Sequence, residues 1–596
     1  MTDMVIRVWR CPKLKISSLK LLAGAVLLAT GLQAHPKLAP ELEKLSPSAK
    51  VNVIVRYKDA APTTILGRLP LIGGLLHQTL NLVDSLLMTL TGTQIVTLAN
   101  DPNVEYISPD RPIKAAMEYA HPTINAHLAK QAGYTGAGIT VAVIDSGISA
   151  HQDLRSGLLN LSRVVYNESF VPGDSRTGDY YGHGTHVAGI LAGDGGKSTG
   201  LFYSRTFLGV APETRLVNLR VLDSEGKSSD SAVIAAISRA IELKNRFDIR
   251  VINLSLGRPI FESYEKDPLC QAVEKAWKAG IVVVVAAGNE GRNNAYGTSG
   301  YGMIMSPAND PYVITVGAMR DMSTVNRSDD QIATYSSKGP AIIDHVVKPD
   351  LVAPGNQVIS LASNGKLSAL SSLAMNQIPW GYYLKGGCLS SPSSDYFKLS
   401  GTSMAAPMVS GAAAILLDKR PGLTPDQVKA ILMKTATKTF PSSSTVYDPS
   451  TQQTFVSYYD IFTVGAGYLD LWAALNLHDT PSGSALSPTA VFDPATNSVY
   501  LTGTTPGGSS AAWGNSAAWG NSGPYSLSAV WGLNFFVSGS SAAWGNSAVW
   551  GNSAVWGLQN TSGFSAVWGN SAAWGNSAAW GNSAAWGLNT MMAGEK

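Results

Sequence analysis

The chain has 596 residues, too many for one ordinary domain, so roughly three or four regions are expected. Only 14% of residues are charged and the formal net charge is +3. There is no basic patch large enough to suggest nucleic acid and no acidic tail, so no nucleic-acid partner is expected.

The N-terminus reads as an export signal over residues 1–34. Arg7, Arg10, Lys13, Lys15 and Lys20 precede an apolar run over 21–32, and Ala34 is a small residue before a cleavage point. The run is about 12 residues long, short for a membrane span. A secreted or cell-surface protein is therefore expected, with an uncleaved anchor as the alternative. Of three cysteines, Cys11 would leave with the signal. Cys270 and Cys388 remain, either as a disulfide in an oxidising compartment or as two buried free thiols.

Residues 50–116 have a character of their own. A strand is expected over 51–57, a helix over 75–90, a second helix at 95–98, and a strand in the 101–110 segment. That order makes a small α+β unit. From 121 to 477, apolar strand runs alternate with amphipathic segments, the pattern of a parallel sheet covered by helices. Strands are expected at 138–144, 215–222, 250–256 and 281–285, and helices at 231–244 and 269–279. The run Ile281-Val282-Val283-Val284-Val285 suits a central strand buried on both faces. The fold class is α/β: a mostly parallel twisted sheet with helices on both faces.

Residues 478–510 are rich in Ser, Thr, Pro and Gly and read as a linker. A tail over 511–588 then repeats Ala-Ala-Trp-Gly-Asn-Ser and close variants, and it holds 10 of the 14 tryptophans. Most are six residues apart. A β-solenoid with a Trp ladder and a low-complexity disordered segment are both open. A row of indoles suits binding to a polysaccharide, a membrane interface or itself.

Three strings carry the chemistry: Val143-Ile144-Asp145-Ser146-Gly147, His183-Gly184-Thr185-His186-Val187-Ala188-Gly189, and Gly401-Thr402-Ser403-Met404-Ala405-Ala406-Pro407. Each alone has a structural reading, such as a helix cap for the Asp or close packing for the Ser. Together they supply a nucleophile, a base and an acid that orients the base. His186, three residues after His183, raises a metal-pair reading, but the carboxylates of a zinc motif are missing. The three strings, in the order Asp, His, Ser, resemble the subtilisin-like (subtilase) serine proteases.

The resemblance implies a secreted serine endopeptidase acting through an acyl-enzyme on Ser403. His183 would be the base and Asp145 its orienting acid. Asn289, in Ala286-Ala287-Gly288-Asn289-Glu290-Gly291, would donate to the oxyanion. Ser255, Leu256 and Gly257 match the strand that pairs with an extended peptide. Ala286, Ala287 and Gly288 match the wall of the pocket for the side chain before the cut bond, where apolar or aromatic residues are expected.

The Asp101-Pro102-Asn103-Val104-Glu105-Tyr106-Ile107 run resembles the end of an inhibitory propeptide, which implies a self-processed proenzyme cut between Lys114 and His121. The chain's own propeptide would then be an inhibitory partner, beside protein or peptide substrates. No organic cofactor is implied. Asp153, in His151-Gln152-Asp153-Leu154, resembles an Asp that helps bind structural calcium, although the loop between Gly189 and Gly209 is longer than in the family. Residues 362–395 are also longer, as a lid, a substrate-binding loop or a surface insertion. Two other readings are a surface adhesin or assembly protein acting through its Trp-rich tail, and a dedicated processing protease.

Overall fold

The computed structural model describes residues 35–502, without 40–41, 43–44, 59–72, 81–84, 110–115, 158, 294–297, 370–375, 386–390, 449–450 and 494–497. The expected signal at 1–34, the Trp repeat at 511–588 and Cys388 lie outside the described residues. The chain divides into two compact units, 1–113 and 114–596.

In the first unit, strands β1 (Lys50–Tyr57), β2 (Leu75–Leu80), β3 (Ser85–Thr91) and β4 (Val104–Pro109) form one sheet in the order β2-β3-β1-β4. All its pairings are antiparallel. Helix α1 (Gly92–Ala99) lies between β3 and β4. A capping box fixes its start: Thr91 accepts from Gln94 N, and the Gln94 side chain accepts from Thr91 N. The helix expected over 75–90 is thus two strands instead. Leu86, Met88 and Leu90 are buried, while Leu87, Thr89 and Thr91 are only partly so. That is a period of two, which an apolar run conceals when it is read by composition alone. The unit has its own core, in which Leu38 and Leu42 join Val53, Val55, Leu98 and Ile107.

The second unit is built on an eight-stranded sheet. Its members are β5 (Thr140–Asp145), β6 (Val164–Ser169), β7 (Arg215–Arg220), β8 (Ile249–Leu254), β9 (Val282–Ala286), β10 (Ile314–Arg320), β11 (Gln331–Ile332) and β12 (Leu351–Pro354). The order is β11-β10-β9-β8-β5-β7-β6, and β12 also pairs with β10. Every pairing is parallel except β10 with β11. β5 and β9 are buried at every position, which explains the apolar run from Val141 to Ile144 in β5 and the unbroken one of β9.

Four helices matter for the site: α2 (Gly184–Ala192), α3 (Asp230–Phe247), α4 (Pro268–Lys278) and α5 (Thr402–Lys419). Ser229 caps α3 and Asp267 caps α4, each through its side chain. Sixteen of the 18 residues of α5 are buried, so its small residues are packing requirements of a core helix.

Part of the stretch expected to be a linker belongs to this unit. Ser487 Oγ donates to Asp350 Oδ1 at 2.5 Å, and Lys429 Nζ donates to Ser487 Oγ at 2.9 Å. Pro488 O accepts from Val347 N, and Ala490 N donates to His345 O. Strands Thr489–Asp493 and Ser498–Thr502 form a hairpin. The cause is a buried ion cluster: Asp350, Lys348 and Lys429 have fully buried side chains, and such a cluster needs every hydrogen-bond partner it can reach.

Of the two states left open for the cysteines, the free thiol is the one found on the described half. Cys270 is a buried free thiol, with Sγ 3.3 Å from Asn309 Oδ1. Burial pushes its pKa far up, so the thiol keeps its proton.

Candidate active site

The site gathers at the C-terminal ends of central strands, where open α/β sheets bind their ligands. β5 delivers Asp145 as its last residue, 1% exposed. One oxygen, Asp145 Oδ1, accepts from Ser146 N at 2.7 Å and lies 2.8 Å from His183 Nδ1. His183 immediately precedes α2 and is 4% exposed. Gly184 passes so close that a Cβ there would lie 2.3 Å from the Gly147 carbonyl.

A second carboxylate, Asp179, ties these two residues together. Its Oδ1 accepts from Ser146 Oγ at 2.8 Å, Gly182 N at 2.6 Å and Tyr181 N at 3.2 Å. Its Oδ2 accepts from Thr185 N at 2.8 Å, and Ser146 Oγ in turn accepts from Gly184 N. Sequence reasoning missed Asp179 and Ser146. Their signal was proximity, since Asp179 stands four residues before His183 and Ser146 one after Asp145.

Burial by itself disfavours a charged His183. The charge and hydrogen bond of Asp145, with the charge of Asp179, outweigh it and hold the imidazole above its ordinary value of 6.5.

Ser403 lies in the first turn of α5 and is 8% exposed. Its Oγ donates to Ser255 O at 3.1 Å, and Ser255 Oγ donates to Ser403 O at 2.9 Å. Among the described residues no hydrogen bond joins Ser403 Oγ to His183. Such bonds are often long in unliganded sites and tighten only with substrate bound. Ser255 is itself held by Asn253 Nδ2 at 3.0 Å, and Asn253 Oδ1 accepts from Ser410 Oγ.

Asn289 follows β9. Its Oδ1 accepts from Thr402 N at 2.9 Å and from Thr402 Oγ1 at 3.1 Å. Two donors on one atom identify that atom as the oxygen, leaving Nδ2 with two hydrogens to give. A Cβ on Gly401 (φ +149°) would sit 3.3 Å from Nδ2 and 3.7 Å from Ser403 N. The first-turn amides of α5 have no intrahelical acceptor. Two kinds of N–H donor therefore meet beside Ser403.

Met305 was not singled out by the sequence, yet it lies between the two expected pocket walls. A Cβ on Gly257 would be 3.1 Å from Met305 Cβ, and one on Gly288 would be 2.9 Å from Met305 Cγ. Ala287 O accepts from Met305 N. Ala286 and Ala287 are buried, and Leu256 is partly buried against the core.

His186 is fully buried, with Nε2 3.0 Å from Phe397 O and 3.1 Å from Val358 O. Facing carbonyl oxygens, that nitrogen carries a hydrogen, and burial lowers the pKa to about 3. It is a core histidine.

Two lengthened segments lie nearby. Residues after 362 run along the loop ahead of His183, with Lys366 N donating to Tyr180 O and Leu367 N to Tyr181 O. A cavity of about 240 Å³ opens there, lined by Ser363, Asn364, Gln377 and Ser393 among others. Asp153 has both oxygens engaged by protein donors, Oδ1 by Lys197 N and Oδ2 by the Tyr396 hydroxyl. Calcium requires six to eight oxygens converging on one point, and this donor set does not fit the ion. Among the described residues no group of three His, Cys, Asp or Glu side chains is placed to hold a metal.

The Subtilase family model matches residues 136–455. Serine protease AprX of Bacillus subtilis (strain 168) is 36% identical over 342 residues, which cover 56% of this chain and 70% of that protein. Subtilisin DY of Bacillus licheniformis is 38% identical over 320 residues, 54% of this chain and 91% of its own. Subtilisin E of Bacillus subtilis (strain 168) is 36% identical over 373 residues, 61% and 78% of the two chains. With over half of its length matched by the family and an α/β sheet of the corresponding kind, the chain belongs to the subtilase family and is a serine-type endopeptidase.

Proposed function

We propose that the protein is an exported proenzyme that cuts its own N-terminal unit away and then hydrolyses proteins through an acyl-enzyme on Ser403. The observation that carries the assignment is the 2.8 Å pairing of His183 Nδ1 with Asp145 Oδ1, at strand ends that also bring Ser403 and Asn289 together. His183 takes the Ser403 proton through Nε2 during attack. Asp145 holds the tautomer that leaves Nε2 free, and it stabilises the imidazolium that forms. Asn289 Nδ2 and the Ser403 amide receive the charge that develops on the carbonyl oxygen.

The division of the chain at 113/114 and the separate core of the first unit support the propeptide reading. Export rests on the basic and apolar pattern of residues 1–34. Among the described residues no helix is long and apolar enough to cross a membrane. The Trp repeat carries no reactive group, and its role is to hold the enzyme on a surface or polysaccharide. Casein hydrolysis by the wild type beside Ser403→Ala tests the assignment. Activity in the wild type alone supports it, and equal activity in both overturns it.

The direction of the His183 shift gives a pH dependence. The base works only as the neutral ring, so kcat/KM should fall as pH drops through a midpoint above 6.5. An acid limb centred below pH 6 would contradict the role given to Asp145.

Met305 sets the substrate class. With its side chain between Gly257 and Gly288, the slot is shortened, and small residues before the cut bond should be preferred to aromatic ones. This revises the expectation drawn from the small walls alone. Met305→Gly should raise kcat/KM for a Phe substrate relative to an Ala substrate by at least about 10–200-fold, the range for a single methylene of pocket space. An unchanged ratio would mean that another residue closes the slot.

A further inference from the structure

The two segments that are longer than the family resemblance leads one to expect, 189–209 and 362–395, meet each other at Asp153. Ser204 N donates to Tyr383 O and Lys385 N to Phe202 O, both at 2.8 Å, and Tyr203 bridges to Leu384. Tyr203 stacks on Tyr383 with ring centres 6.0 Å apart, and Phe207 packs edge-on against Tyr396 at 4.5 Å. Tyr396 lies at the inner end of this contact. Its hydroxyl donates to Asp153 Oδ2 at 2.6 Å and lies 2.9 Å from Ser198 Oγ.

Other polar groups at this point also meet protein partners, while Arg163 Nε and Asp395 Oδ2 are buried without one among the described residues. Lys197 N donates to Asp153 Oδ1 at 2.8 Å. His151 Nδ1 accepts from Asp153 N at 3.1 Å, which leaves Nε2 to donate to Asp395 O, also at 3.1 Å. Arg163, 4% exposed, directs Nη2 at Asp153 O and Ala192 O, both at 2.6 Å, and Nη1 at Thr214 O at 3.0 Å. The carbonyls of the 189–209 loop turn inward on the loop itself. Gly193 O accepts from Gly209 N, Gly195 O from Ser198 N, and Ser198 O from Thr206 Oγ1.

A calcium ion would need several of these oxygens aimed at one centre. Here the carboxylate faces hydrogen-bond donors, and backbone oxygens face a guanidinium, whose charge would repel a second cation. We propose that the Asp153 locus is a protein-only clasp in place of a calcium site, in which Tyr396 and Lys197 N hold the carboxylate and Arg163 holds the surrounding carbonyls. The two longer segments are what the clasp is made of: one brings the Lys197 amide and Ser198, and Tyr396 stands directly after the other. Stability at this point then does not depend on free calcium. Burial pushes the Tyr396 phenol pKa far up, which keeps it a donor.

The experiment uses the full chain carrying Ser403→Ala, so that autolysis does not intervene. Equilibrium dialysis against calcium should give the same number of bound ions with and without Asp153→Asn. One ion fewer in the Asp153→Asn chain overturns the proposal. Should that variant fail to fold, Tyr396→Phe decides the matter by thermal unfolding. It removes one hydroxyl, and Tm should fall by about 2–4 °C, equally in chelator and in millimolar calcium. An unchanged Tm, or a loss that calcium restores, overturns the clasp.

Discussion

Ser403→Ala is expected to leave the chain at full length and to lower protein hydrolysis by about 10⁶ in kcat, the loss recorded for the nucleophile of subtilisin itself. The hydroxyl is the one atom that forms the bond to the substrate carbonyl, and nothing else at the site replaces it. The neighbouring Ser255 Oγ is committed to Ser403 O. The remaining groups would still bind and polarise a substrate, so a small residual rate over water is expected. The same substitution blocks maturation if the chain cuts itself. Intact mass should therefore show wild type shortened to begin near residue 116, with Ser403→Ala uncut. A shortened Ser403→Ala chain would assign the cut to another peptidase, and unchanged casein hydrolysis would remove Ser403 from the mechanism.

Asn289→Leu is expected to lower kcat by about 10²–10³ with little change in KM, the size of loss known for the corresponding donor in subtilisin. The effect falls on kcat because the donor acts on charge that exists only in the transition state. Leucine also removes Oδ1, which accepts from Thr402 N and Oγ1 and so steadies the turn before Ser403. Asn289→Asp separates the two roles, since it keeps the acceptor and deletes the donor. If donation is what matters, Asn289→Asp should be at least as slow as Asn289→Leu. Recovery of wild-type kcat in Asn289→Asp would reassign Asn289 to holding the turn.

Much of the fold was legible because its signals are local. An unbroken β-branched run announced β9, and alternation of strands with helical segments announced the parallel sheet. The hairpin β2–β3 was misread because an apolar run of that length fits a helix by composition, and only the alternation of Leu86, Met88 and Leu90 with partly exposed neighbours reveals a strand. The stretch at 478–490 was misread for a different reason. Its Ser and Pro residues look like a linker until Lys429 and Asp350, far back in the chain, are found to need Ser487.

The site divides along the same line. Asp145, His183, Ser403 and Asn289 could be named from the sequence because each sits in a short string whose glycines and small residues serve its own turn. Asp179 was hidden because its role is to join two loops. Met305 was hidden because pocket depth depends on a residue of a third segment. The fate of Asp153 was hidden because Tyr396 and Arg163 reach it from separate parts of the chain. By itself the sequence determined the reaction class and the fold class, and it supplied the candidate reacting groups, since these follow from short-range pattern. The seating of Met305 between Gly257 and Gly288, the tie between the Asp and His loops and the contacts of Tyr396 and Arg163 at Asp153 were decided only in the tertiary structure. Each is a contact between residues far apart in the chain, and such contacts exist only once the chain has closed.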